Sequence, residues 1–366
     1  MPSDEAARYQ REILADVSRT FALTIPQLPP ALRGVVTNAY LLCRIADTIE
    51  DEPGLAFEDK QRFHALFIDV VNGDGSPEAF ARELTPLLAA SDAERDLVQH
   101  TPLVLQMTRR YGPRQRAALS RCIAVMCEGM PRFQRSASLD GLADIGQMRE
   151  YCDVVAGVVG ETLTELFCAY APDMARHRDL MLELGVSFGR GLQMTNILKD
   201  FWEDHDRGVC WLPRDVFARY GASLAEVSRE RLPACFCTVY GELIAVAHGH
   251  LCDAREYTLL IPARETGVRG FCTIALALAL STLQCINARR DFTAGSQVKV
   301  SRQVVASTVF ATKRFAADDA ALGRWLDGLA EGLPQPLGER APPRRPAEPA
   351  HGPALRDSER AEAVGV

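Results

Sequence analysis

The sequence predicts an all-α protein, one large helical bundle followed by a short tail, and three observations carry that prediction. Apolar residues recur every three or four positions from about residue 5 to 330, the period of a helix face. Val/Ile/Thr alternation over strand-length windows is scarce. Hydrophobic residues make up 47% of the 366 positions, enough to bury a sizeable core.

The expected helices, in order, cover 5–17, 29–51, 57–72, 77–90, 93–110, 113–133, 144–156, 158–170, 173–203, 213–219, 223–262, 264–289 and 301–330. Pro30, Pro53, Gly54, Gly112, Pro113, Pro172 and Pro213 punctuate them. No repeat of fixed period is visible. Residues 334–366 hold seven of the 21 prolines, around "RAPPRRPAEPAHGP", a composition that cannot form a packed core. The domain plan is therefore a helical unit at 1–333 and a disordered Pro/Arg-rich tail at 334–366.

Composition excludes several function classes. A net charge of -7 with no basic stripe argues against nucleic-acid binding. The eleven cysteines lack CxxC pairing and stand mostly inside apolar helical runs, as reduced thiols of a cytoplasmic protein would. The start, "MPSDEAARYQREILADVSRTF", has no apolar signal core. The longest apolar run, "FCTIALALALSTLQCI" at 271–286, contains Thr273, Ser281, Thr282 and Gln284. That is too short and too polar for a membrane span, so it reads as a core helix.

Chemistry concentrates in two places. "LLCRIADTIEDE" at 41–52 puts Asp47 and Asp51 four apart on one helix face, with Glu50 and Glu52 beside them. "VSFGRGLQMTNILKDFWEDHD" at 186–206 lines up Gln193, Asn196, Asp200 and Glu203 or Asp204 on one face, while Met194, Ile197, Leu198 and Phe201 point to the core. A lone DxxxD is usually a solvated helix end. Two of them on two helices need a cation between, because buried carboxylates must be paired, metal-bound or protonated. Oxygen donors without His or Cys suit Mg²⁺, with Mn²⁺ as the alternative ion, and Mg²⁺ prefers to share its shell with phosphate oxygens. Arg19, Arg44, Arg190, Lys199 and Arg207 lie beside the acidic motifs to hold those phosphates.

These residues resemble the squalene/phytoene synthase family of head-to-head isoprenoid synthases, over the chain to about residue 310. "SRTFALTIPQLP" is similar to the family's N-terminal segment, and "AYLLCRIADTIED" to its first aspartate-rich motif in the squalene-synthase form. "YCDVVAGVVGETL" resembles the family's YC..VAG.VG helix, and "GLQMTNILKDFWED" with "CWLPRDVF" the second aspartate-rich motif and its sequel. "FCTIALALALSTL" and "SQVKVSR" look like later squalene-synthase segments. The sequence departs at Ala275 and Leu276, where eukaryotic squalene synthases carry Pro-Gln.

The resemblance implies the isoprenoid synthase fold, a single bundle around a central cavity. It implies Mg²⁺-dependent coupling of two farnesyl diphosphates to presqualene diphosphate, then reduction by NADPH to squalene. Asp47, Asp51, Asp200 and Asp204 would be the metal ligands, with Glu50, Asn196 and Glu203 as secondary ones. Tyr151 matches the family tyrosine beside the reacting carbons, able to relay a proton or face a cation. Arg19, Tyr40, Arg44, Gly157, Gln193, Lys199, Arg207 and Phe271 would contact substrate, with Gly157 and Gly160 removing bulk beside the prenyl chain or letting the helix bend. Lys299 and Arg302 would grip the NADPH phosphate. A monomer touching the membrane only peripherally, for product release, is the implied state. The alternatives are a phytoene, dehydrosqualene or presqualene diphosphate synthase without reduction, a prenyltransferase with an aromatic acceptor, and a non-catalytic assembly factor of the same fold.

Overall fold

A computed structural model describes residues 2–336. In chain order its helices are α1 (Pro2–Val17), α2 (Phe21–Thr24), α3 (Pro30–Asp51), α4 (Phe57–Asn72), α5 (Pro77–Leu84), α6 (Asp92–Gln99), α7 (Thr101–Thr108), α8 (Pro113–Gln134) and α9 (Ile145–Cys152). They continue as α10 (Val158–Tyr170), α11 (Pro172–Ala175), α12 (Arg178–Lys199), α13 (Phe201–Asp206), α14 (Arg214–Ala218), α15 (Phe236–Leu260), α16 (Thr266–Ala288), α17 (Arg302–Phe315) and α18 (Asp319–Ala330). Among the described residues there are two isolated bridges and no sheet.

Local chemistry sets the ends that matter for the site. α3 opens on Pro30, where a missing N–H costs nothing, and closes at Asp51 because Glu52 precedes Pro53 and turns extended. Asp51 is thereby left on the last turn, facing outward. Glu52, although part of the same acidic run, is fully buried and structural: its carboxylate accepts from the amides of Gly54, Ala89 and Ala90.

The long helix expected at 173–203 is broken. α12 ends at Lys199, Asp200 adopts φ -96° and ψ 14°, and α13 resumes at Phe201. The turn-to-turn bonds persist across the break, from Asp200 N to Asn196 O (2.8 Å) and from Asp204 N to Asp200 O (2.9 Å), so the two acids remain one turn apart. Pro233 delays the helix expected from 223 until Phe236. The helix expected at 301–330 splits where Asp318 caps α18 through the Ala321 amide.

α12 forms the centre of the bundle, packing along α15, α10 and a π-helical turn at Asp153–Gly157 that joins α9 to α10. The crossing is close because both partners lack side chains there. A methyl on Gly160 would stand 2.0 Å from Gly185 O, and one on Gly189 2.3 Å from Ala156 O. Arg190 of α12 pins the π turn through a two-pronged bond to Asp153, at 2.5 and 2.7 Å.

α16 is long and apolar enough to cross a membrane by length and composition, yet 56% of its most apolar window is buried inside the bundle. Its fully buried Arg269 bonds the carbonyls of Leu259, Ile261 and Ala316 and pairs with Asp319. Of the tail set from 334 in the sequence, residues 337–366 lie outside the described residues. Pro334 accepts a hydrogen bond from His248 of α15 (2.9 Å), and Gln335 lines a groove beside the same helix.

Candidate active site

The two acidic motifs line one cavity of about 980 Å³. α3 contributes Arg44, Asp47, Glu50 and Asp51; α12 contributes Gln193 and Asn196; the break and α13 contribute Asp200, Glu203 and Asp204, followed by Arg207. Beyond it lies a second chamber of about 420 Å³, walled by Phe21, Leu163, Phe167, Phe188, Tyr257, Phe271 and Leu278. Arg44, Asp47, Val155, Gln193 and Asn196 line both, so an acidic mouth opens directly into an apolar interior. The shape suits a ligand with a charged head and an apolar tail.

One side chain joins the two motifs. Arg207 reaches Asp51 Oδ1 at 3.3 Å through one guanidinium nitrogen and Asp204 Oδ1 at 2.5 Å through the other. Lys199 pairs with Asp200 (3.0 Å), and Lys60 donates to Glu50 O (2.6 Å).

Charge is strained elsewhere in the mouth. Burial pushes the Asp47 carboxyl up to about 7, with Arg44 pulling it down and Asp51 and Glu94 adding to the rise. Burial lifts Asp204 to about 6 against the pull of Arg207, and it raises Asp200 as well. Glu50 is driven well above the carboxylate range by burial and by Asp47 and Asp51. Its Oε1 is buried without a hydrogen-bond partner. Burial thus disfavours charge on these carboxylates, a cost that a divalent cation would offset.

Among the described residues, no three His, Cys, Asp or Glu side chains converge into a closed metal cage. Mg²⁺ does not require one, since it keeps several waters and takes one or two carboxylates plus phosphate oxygens. The all-oxygen donor set, the orphaned Glu50 oxygen and the raised carboxyls fit such an ion. Glu203 is turned partly aside, accepting from Gly295 N at 3.0 Å.

Tyr151 lies at the mouth, its ring stacked on Trp211 (4.2 Å between centroids, 8° between planes) and edge-on to Phe133 (5.3 Å). Burial, then Glu50 and Asp51, hold its phenol well above the ordinary range, so it keeps its proton. Tyr40 lines the chamber, donates to Val17 O (2.8 Å) and accepts from Arg44. Lys199 and Phe271 line the chamber, Phe271 against Phe21 and Phe167.

Five expected contacts fall outside both cavities. Arg19 is exposed at the turn before α2, although its neighbours Thr20 and Phe21 line the chamber. Gly157 abuts Asp153 and Val186, and its small size serves the helix crossing and not a prenyl chain. Lys299 and Arg302 are exposed beside and on α17. Arg190, a further phosphate-holding expectation, is spent on Asp153. Lys60, Gln134 and Trp211 line the mouth without having been singled out. Trp211 was within the quoted "CWLPRDVF", and its signal was an aromatic seven residues beyond the second motif.

The family model for squalene/phytoene synthase matches residues 14–304. The chain is 30% identical over 328 residues to squalene synthase BSS of Botryococcus braunii, covering 86% of this chain and 67% of that one. It is 28% identical to squalene synthase ERG9 of Candida albicans, covering 74% of this chain and 60% of that one. The chain thus spans about two thirds of the length of these relatives, or less. Among solved structures, TcSQS in complex with the ligand BPH1237 superposes with a TM-score of 0.71 at 24% identity, covering 89% of this chain and 91% of that one, which shows the fold. With a match across 14–304 and both aspartate-rich motifs lining one cavity, the chain belongs to the squalene/phytoene synthase family, whose squalene synthases are prenyltransferases.

Proposed function

We propose that the chain is a squalene synthase, coupling two farnesyl diphosphates to presqualene diphosphate and reducing that product to squalene with NADPH. The observation that carries the coupling step is the continuity of the acidic mouth with the apolar chamber. Asp47, Asp51, Asp200 and Asp204 would hold Mg²⁺, with Glu50 and Asn196 behind them. Mg²⁺, when bound, supplies positive charge to a departing diphosphate. Arg44, Lys199, Arg207 and Gln193 would bind phosphate oxygens, the arginines through a planar fork. Tyr151 and Trp211 form an aromatic wall beside the acids, where ring faces favour a carbocation and a protonated phenol can donate. The chamber's Phe and Leu walls exclude water that would quench such a cation.

The reduction rests on similarity to squalene synthases. Lys299 and Arg302 are exposed and line neither cavity, so no hydride step is routed through them. That placement, with Ala275 and Leu276 in the position of Pro-Gln, favours as second reading a synthase that stops at presqualene diphosphate or forms an unreduced product. Incubation with farnesyl diphosphate and Mg²⁺, with and without NADPH, followed by mass analysis of the lipid extract, decides. Squalene formed only with NADPH is expected. An unreduced hydrocarbon, or presqualene diphosphate in both arms, would replace the reductive reading, and no consumption of farnesyl diphosphate would overturn the coupling.

A further inference from the structure

The outer face of α17 has no part in the site just described, and it combines exposed cations with an exposed aromatic side chain. Residues 292–317 contain Lys299, Arg302, Lys313 and Arg314 and no acidic residue, in a chain whose net charge is -7. Two of the protein's four lysines are here. Asp291 immediately precedes the segment, and the acids that follow it are committed elsewhere, Asp318 to the Ala321 amide and Asp319 to Arg269.

Within that basic segment stands the most exposed large apolar side chain among the described residues, Phe310, at 70% exposure, with Val304 also exposed. Arg302, Ala306, Phe310 and Lys313 follow at steps of four, four and three, so they share the outward stripe of the helix. Thr308 and Thr312 point the other way and are buried. An aromatic flanked by cations at both helix ends is the pattern of a helix lying on an anionic lipid surface.

Its place in the fold links it to the chamber. α17 packs on α16, whose Phe271, Ala275, Leu278 and Thr282 line the apolar chamber. At Gly270 an added methyl would meet Gln27 on one side and Thr312 of α17 on the other. Gln27 in turn bonds the carbonyl of Leu23, an exposed leucine two residues beyond Phe21 of the chamber wall.

We infer that the outer face of α17, centred on Phe310 with Lys313 and Arg314, docks the protein on anionic lipid surfaces next to the chamber that takes its apolar ligands. The inference extends the proposed function, since a ligand with a long apolar tail partitions into lipid. It uses residues that line neither cavity.

The test is co-sedimentation of the full chain with vesicles of phosphatidylcholine alone or with one third phosphatidylglycerol, at low and high salt. Binding is expected to the anionic vesicles only, to weaken with salt, and to fall about tenfold or more in Lys313→Glu/Arg314→Glu. Phe310→Ser should weaken binding at both salt concentrations. Thermal unfolding and farnesyl diphosphate turnover in detergent should match wild type, which separates this surface from the reaction. Wild-type binding retained in both variants would overturn the inference, as would no binding to anionic vesicles. Loss of turnover in wild type alongside intact vesicle binding would instead strike only the proposed reaction.

Discussion

At the scale of single residues, the carboxylates do unequal work. Asp51 stands on the last turn of α3 with an exposed side chain, and Asp200 stands at the break between α12 and α13 with a side chain 40% exposed, so neither is packed in the core. Asp51→Asn and Asp200→Asn are therefore expected to abolish turnover while leaving the circular dichroism spectrum and unfolding midpoint near wild type, because each removes a charge proposed to bind metal and relieves repulsion among the carboxylates. Near-normal turnover at saturating Mg²⁺ in either variant would contradict the assignment. The acids themselves were legible in the sequence, as two DxxxD spacings. Glu52 was not separable from them by pattern, since only the fold reveals that it satisfies three backbone amides. The misplacement of Arg19 and Arg190 has the same origin: adjacency along the chain does not say which way a long side chain points.

At the scale of elements, helices with strong apolar period were legible to within a residue or two, as at α4 and at α3 and α8, which also carry a Pro at the first turn. The break at Asp200 was not, because its sequence carries no Gly or Pro and the hydrogen-bond register runs through it. The π turn at 153–157 was equally hidden, being stabilised by a tertiary contact from Arg190. The glycines of the central crossing were visible but their reason was not. Gly160→Ala should be severely destabilising, by about 3 kcal/mol or more, since its methyl would meet backbone at Gly185 and not a side chain that can turn away. Urea unfolding of the variant reads this directly, and an unchanged midpoint would mean that α10 and α12 are less tightly apposed than described.

At the scale of the whole molecule, the sequence announces the cavity only through its rims. The apolar chamber draws its walls from α2, α3, α10, α12, α15 and α16, so no window of the chain contains its outline. Its depth, which governs the length of chain admitted, is set by packing between those helices. The same long-range assembly brings Arg207 onto Asp51 and Asp204, residues from opposite rims. This guanidinium has a consequence for the order of events. It occupies two of the carboxylates proposed to hold metal, so it would compete with that cation. A diphosphate offers Arg207 an alternative anion and frees the carboxylates, making head group and metal binding mutually favourable, each raising affinity for the other by the same factor. Thermal shift measurements should then find that Mg²⁺ alone raises Tm little, that Mg²⁺ with inorganic pyrophosphate raises it by more than the two separate shifts combined, and that Arg207→Ala removes that excess. Equal shifts for Mg²⁺ with and without pyrophosphate in wild type would contradict it. Stated as linkage, the ion pair across the mouth would make the affinity for metal depend on whether a head group is bound.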